Sequence, residues 1–255
     1  MHGNRFDVKG SIVLVTGGSR GIGLGIARGF VEVGATVLIV ARDAAQCEAA
    51  ARELCTLGRC IAIPGDLAST DGIRRLVSAV VAAVPHVNVL VNNAGATWAE
   101  PIDTYPEGQW DQIVDVNLKA PFLLTQQLLP LLRKTATRDN PARIINVGSI
   151  AGIIPMRESY AYAASKAGLH HLTLLMARHL APTINVNALA PGAYETRMIE
   201  FALKQRAALE AQIPRGAVGQ GDDIAGMAIC LASRAGAYVT GAVIPVDGGL
   251  SLRNP

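Results

Sequence analysis

Charge of either sign in excess, closely paired cysteines and long apolar runs are all missing from this chain of 255 residues. Lysine and arginine number 23 against 20 aspartates and glutamates, a net charge of +3. That balance, with no basic stripe, argues against a nucleic-acid surface. The cysteines, Cys47, Cys55, Cys60 and Cys230, form no C-x-x-C pair, and the histidines form no H-E-x-x-H. No metal site is therefore expected, and the thiols are read as reduced. No apolar run reaches the roughly 18 residues of a membrane-crossing helix. The stretch 76–84 is too short and Pro85 ends it. The first ten residues are polar and charged, without the apolar core of a signal peptide, so a cytoplasmic location is expected. Charged residues make up only 17% and apolar ones 50%, which excludes a disordered chain.

Linkers are missing too, so residues 1–255 are read as a single domain. Short β-branched runs at 11–16, 36–40, 60–63, 87–91, 143–147, 183–188 and 242–246 predict strands. Helical patterns fill the intervals: 22–33, 44–57, 70–84, a long helix over 107–134, 161–180, 195–212 and 222–233. Nearly continuous apolar strands indicate a sheet covered on both faces. Strict strand–helix alternation implies parallel strands joined by right-handed crossovers. The expected fold is therefore α/β and Rossmann-type, a doubly wound, seven-stranded parallel sheet with helices on both faces. Its ligand should sit at the carboxyl ends of the strands.

Directly after the first strand stands Thr16-Gly17-Gly18-Ser19-Arg20-Gly21-Ile22-Gly23. Glycines there let the backbone turn tightly and approach a pyrophosphate, which the following helix N-terminus attracts with free N–H groups. The plainer reading is an ordinary Gly-rich turn, because the spacing is G-x-x-x-G-x-G rather than G-x-G-x-x-G. Four more segments stand in order behind it: Asn92-Asn93-Ala94-Gly95; Asn117; Ser149 with Tyr162-x-x-x-Lys166; and Pro191-Gly192 with Thr196. Together these motifs resemble those of the short-chain dehydrogenase/reductase superfamily, over essentially the whole chain. Within it the sequence is most similar to NADPH-dependent β-ketoacyl reductases, including those of rhamnolipid synthesis, through VTGGSRGIG, LLPLLR…NPARIINVGS and TGAVIPVDGG.

An NAD-type site carries an acid at the end of the second strand to bond the ribose 2′-hydroxyl. Ala41 occupies that place, Arg42 follows, and Arg20 lies in the Gly-rich loop. Two guanidinium groups suit a 2′-phosphate, so NADP(H) is expected, provided Asp43 does not fold inward. Alternatively both arginines are solvated surface charges. By resemblance, Asp66 and Leu67 lie against the adenine; a turn-capping role for Asp66 is the alternative. The resemblance also assigns cofactor contacts to Gly17, Ser19, Gly21, Ile22, Gly23, Asn93, Ala94, Gly95, Pro191, Gly192 and Thr196, together with the backbone near Ala193. The cofactor half is expected over about residues 1–147, and the catalytic and substrate half over about 148–255.

Carbonyl reduction needs a hydride, a proton and a donor for the developing oxyanion. Tyr162 and Lys166 are four apart on an expected helix and share a face. Tyrosine ionises near pH 10; a nearby ammonium and the positive nicotinamide of the oxidised cofactor favour tyrosinate, and of the about 4 kcal/mol that a drop of about 3 units would need, one close cation could supply much. Tyr162 is thus the expected general acid in reduction, a role the resemblance also implies, with Lys166 on the nicotinamide ribose. Ser149 can donate to the substrate carbonyl, or merely cap a helix. Asn117, polar within an apolar helical run, holds by resemblance a water that relays protons to Lys166; it could equally bend the helix. Tyr160 lies on another face, with Ala164 rather than lysine four residues on, and is rejected as the acid.

Candidate pocket residues are Thr97, Trp98, Ser149, Ile150, Ile153, Ile154, Met156 and Tyr194, mostly apolar, with Arg157 near. They suit a lipophilic ketone such as a β-ketoacyl thioester better than a sugar acid. Residues 194–212 resemble the family's mobile lid, whose Met198, Ile199, Phe201 and Leu203 either line the pocket or pack on the core. A small-molecule carbonyl or alcohol is the expected partner, without nucleic acid or membrane. A non-catalytic NADPH-binding regulator would have lost Tyr162, Lys166 or Ser149; all are present. Apolar residues on more than one face of 107–134 and 161–180, together with the family's habit, suggest a homotetramer.

Overall fold

The computed structural model describes residues 4–252. The chain alternates β1 (Ile12–Thr16), α1 (Gly21–Glu32), β2 (Thr36–Ala41), α2 (Ala44–Leu54), β3 (Cys60–Pro64), α3 (Thr70–Ala83) and β4 (Val89–Asn92). Then follow α4 (Glu107–Val114), α5 (Ala120–Arg133), β5 (Ala142–Val147), α6 (Tyr160–Leu180) and β6 (Ile184–Pro191). Two short helices, α7 (Glu200–Leu203) and α8 (Arg206–Glu210), precede α9 (Gly221–Ala232) and β7 (Val243–Val246). The seven strands form one parallel sheet in the order β3-β2-β1-β4-β5-β6-β7. This is the expected doubly wound sheet, and its order reverses between β1 and β4. At that point the loops leaving neighbouring strands diverge and open a crevice at the carboxyl edge.

Apolar residues on alternate faces of the central strands feed two cores. Val13, Val15, Val37, Ile39, Val89 and Val91 pack with α1, α2 and α9 around Phe30 and Ile26. Leu14, Leu38, Val40, Leu90 and Ile144 pack on the other face with α3 and α5 around Leu76, Leu124 and Leu128. Each side chain removed from water contributes about 1.5–3 kcal/mol, so both faces hold the strand ends in place.

Two sequence expectations change here. The helix expected over 107–134 is interrupted by a π-helical turn, Asp115–Lys119, between α4 and α5. Such a turn forms i→i+5 bonds, and it carries Asn117, whose side chain bonds groups outside the helix. The helix expected over 195–212 is divided into a 3-10 turn, Arg197–Ile199, then α7 and α8.

Candidate active site

The Gly-rich turn after β1 is shaped by contacts that only glycine allows. Gly17 has φ +65°, and a Cβ on Gly23 would lie 2.2 Å from the Gly17 carbonyl oxygen. The helix α1 begins immediately beyond it, with no side chain capping its N-terminus and no acid in its first turn. By contrast, Asp43 caps α2 and Ser69 caps α3. An uncapped helix start of 12 residues facing a crevice is suited to an anion. The end of β4 is tied to this turn: the Asn93 and Ala94 amides donate to Thr16 Oγ1 at 2.9 and 3.0 Å. The Asn93 side-chain amide donates to the Thr16 and Gly17 carbonyls at 2.9 and 3.2 Å.

A cavity of about 1700 Å³ runs along the carboxyl edge from this turn. It is lined by Gly17, Ser19, Arg20, Gly21, Ile22, Gly23, Arg42, Asp66, Leu67, Asn93, Ala94, Gly95, Tyr162, Lys166, Pro191, Gly192 and Thr196. Every residue expected at the cofactor therefore lies on this one cavity. Thr196 closes on the loop, since a Cβ on Gly21 would stand 3.1 Å from its methyl group. Ala41 ends β2 where an acid would be needed for NAD, and Arg20 and Arg42 form no salt bridge among the described residues. Asp43 also lines the cavity, and its Oδ1 accepts from the Gln46 amide at 3.0 Å as the α2 cap. Asp66 accepts from the Ala68 amide at 3.1 Å, so the turn-capping role holds for it at the cavity edge. The uncapped α1, the glycine cradle and the two arginines together fit a phosphorylated dinucleotide.

Ser149, Tyr162 and Lys166 converge on the floor of the cavity. Ser149 leaves β5 and caps a short 3-10 turn, its Oγ accepting from the Ala151 amide at 3.1 Å. Lys166 Nζ donates to the Val147 carbonyl at 2.8 Å and lies 5.7 Å from the Tyr162 ring centroid. Burial brings the Lys166 ammonium down to about 8. Among the protein's own groups, burial pushes the Tyr162 phenol above its ordinary range, with only the neighbouring Ser149 hydroxyl opposing it. Burial thus favours the protonated phenol. Tyr160, at the exposed start of α6, stacks edge-on against Tyr105, with ring centroids 5.8 Å apart.

Asn117 stands behind the cavity wall and not on it. It is fully buried. Its Oδ1 accepts from the Ala96 amide at 2.8 Å, and its Nδ2 donates to the Ala96 carbonyl at 2.9 Å and to Ser165 Oγ at 3.1 Å. Gly95 passes between it and Lys166: a Cβ there would lie 3.2 Å from Asn117 Oδ1 and 3.7 Å from Lys166 Nζ.

Of the expected pocket, Thr97, Trp98, Ser149, Ile150, Ile154, Met156 and Tyr194 line the cavity, as do Met198 and Ile199 of the segment 194–212. Ile153 and Phe201 are exposed off the cavity, and Arg157 and Leu203 do not reach it. Tyr194 also has a packing role, because its ring covers Gly219, where a Cβ would meet it at 2.8 Å. Sequence reasoning missed Gln112 and Val116 on the cavity wall. It also missed His170, which lies just beneath the floor. His170 is one turn beyond Lys166 and two beyond Tyr162, a periodicity that could have found it.

The family model described as short chain dehydrogenase matches residues 11–207. The chain is 48% identical over 252 residues to the rhamnolipids biosynthesis 3-oxoacyl-[acyl-carrier-protein] reductase of Pseudomonas aeruginosa, covering 97% of this chain and 98% of that one. Its fold superposes on the Pseudomonas aeruginosa RhlG/NADP active-site complex with a TM-score of 0.94 and 46% identity, covering 98% and 100% of the two chains. A gluconate 5-dehydrogenase from Burkholderia cenocepacia, in complex with NADP and tartrate, superposes with a TM-score of 0.90 at 32% identity, covering 98% of each.

Proposed function

The chain belongs to the short chain dehydrogenase family, and from that premise we propose that it is an NADPH-dependent reductase of 3-oxoacyl thioesters. The observation that carries this reading is one cavity with a phosphate-suited loop at one end, Ser149 and Tyr162 on its floor, and an apolar wall beyond them. The loop 17–23, Arg20, Arg42, Lys166 and Thr196 would hold NADPH, with Asp66 and Leu67 at the adenine. When bound, NADPH supplies the hydride that reaches the C3 carbonyl carbon. Ser149 donates a hydrogen bond to the substrate oxygen as charge gathers there. Tyr162 gives that oxygen its proton and leaves a secondary alcohol. Lys166 stabilises the resulting tyrosinate by its charge. Asn117 fixes the Ala96 backbone and the Ser165 end of the Lys166 turn, keeping those two elements in register for proton return.

Trp98, Ile150, Ile154, Met156, Met198 and Ile199 favour an acyl chain over a polyol, since burying a hydroxyl without a partner costs free energy. NADPH consumption with a medium-chain 3-oxoacyl thioester is expected to exceed that with a ketogluconate by at least about tenfold in kcat/KM, roughly 1.4 kcal/mol. A preference for the ketogluconate would replace this reading with a sugar-acid reductase.

The same reading includes a homotetramer acting in the cytoplasm. No helix among the described residues is long and apolar enough to cross a membrane. Leu124, Leu128 and Leu132 of α5 are buried in the monomer, as are Leu169 and Met176 of α6. Phe122 of α5 and Leu174 and Leu175 of α6 remain more than two-fifths exposed, and among the described residues β7 is an edge strand of the sheet. Apolar helix surface and an open edge both call for a partner. Light scattering at micromolar concentration should give four times the 26.7 kDa chain mass. A monomer mass would refute the assembly, and a dimer would leave one interface standing.

A further inference from the structure

His170 is a buried imidazole that the reductase chemistry above does not use. It projects from α6 toward the turn leaving β5, on the same helical face as Tyr162 and Lys166. Its Nε2 accepts from the Ser149 amide at 3.4 Å, and its ring bonds the backbone of Gly152. The turn closes on the ring without space: a Cβ on Gly148 would lie 2.1 Å from Nε2, and one on Gly152 would lie 2.9 Å from Cε1. The ring therefore touches the turn before, at and after Ser149.

We propose that His170 is a positioning residue, whose ring clamps the turn 148–152 so that the Ser149 hydroxyl stays aimed at the reacting carbonyl beside Tyr162. This rests on the reductase reading and adds a residue to it. Only the neutral ring has a lone pair for the Ser149 amide, and burial together with the Lys166 charge brings its ionisation down to about 4. The acceptor is thus available across the neutral range. Without it, the Ser149 amide is left unpaired at a buried site and the turn can rotate to recover a partner, which moves the hydroxyl.

A double-mutant cycle tests this. His170→Leu is expected to lower kcat about tenfold, equivalent to about 1.4 kcal/mol, with NADPH affinity within about twofold of wild type. In a Ser149→Ala background the same change should cost less than about twofold, because the hydroxyl it positions is already absent. His170→Gln, whose amide oxygen reaches the Nε2 position, should restore most of kcat; His170→Asn, which reaches only the Nδ1 position, should not. The asparagine variant takes the place of leucine in the cycle if leucine prevents folding. Equal losses in both backgrounds, or wild-type kcat in His170→Leu, would overturn the proposal. Hydrogen exchange of the peptide covering 148–152 reads the clamp without turnover. It should speed up in His170→Leu relative to the flanking β5 amides, and unchanged exchange would count against the clamp even if the reductase reading failed on wild-type enzyme.

Discussion

Tyr162→Phe is expected to lower the rate of carbonyl reduction by about 10²–10⁴-fold, the range a positioned general acid supplies. NADPH affinity should stay within about twofold, because the ring still packs on the cavity floor and only the hydroxyl is lost. Tyr162 shares that floor with Ser149, and burial raises its phenol, which favours the protonated form a general acid needs. Lys166 Nζ donates to the Val147 carbonyl at 2.8 Å, on the strand side of the floor. Single-turnover absorbance and cofactor fluorescence titration on the same preparation separate the two effects. Turnover near the wild-type rate would reject Tyr162 as the acid. Loss of NADPH affinity in parallel would make it a structural residue.

The second large effect concerns the cofactor. Wild-type kcat/KM should favour NADPH over NADH by at least about tenfold, or roughly 1.4 kcal/mol. Arg42→Asp should move that ratio toward NADH by about 100-fold, since charge-assisted bonds to a phosphate are worth about 1.5–3 kcal/mol each and the new carboxylate repels it. The position follows directly from β2, which ends at Ala41 on the cavity wall. Asp43, which also lines the cavity, has one carboxylate oxygen engaged with the Gln46 amide as the α2 cap. Steady-state kinetics with both cofactors give the ratio. An unchanged preference would place Arg42 in solvent, and an NADH preference in wild type would remove the basis of the NADP(H) assignment.

The strands were legible because parallel strands buried on both faces must be continuously apolar, as in Val37-Leu38-Ile39-Val40. The Gly-rich loop was legible because backbone contact leaves no room for a side chain at Gly17 or Gly23. What stayed hidden depends on long-range partners. The π turn at Asp115–Lys119 has no compositional signature, and its cause is Asn117 reaching Ala96 and Ser165, 21 and 48 residues away. The helical pattern over 195–212 breaks although its Ala, Leu, Lys and Arg residues favour helix. Arg206 bonds Glu195, eleven residues back, at 3.2 and 3.3 Å, a contact between the two ends of the segment that residue propensities do not show. Ile153 and Ile154 are adjacent and chemically alike, yet only Ile154 meets the cavity, because the turn after Ser149 points its neighbour outward. His170 went unread because a histidine on an apolar helix face carries no signal until the glycines that surround it, Gly148 and Gly152, are seen to close on its ring.

The most direct test of the reductase reading follows the hydride itself. The enzyme is incubated with NADPH carrying deuterium at the transferable position of nicotinamide C4 and with a medium-chain 3-oxoacyl thioester, and the product is examined by mass spectrometry. The account predicts a 3-hydroxyacyl thioester with one deuterium on C3, formed by wild type and lost in Tyr162→Phe. Unchanged thioester, or a hydroxyacyl product without deuterium from either face of the labelled nicotinamide, would contradict it.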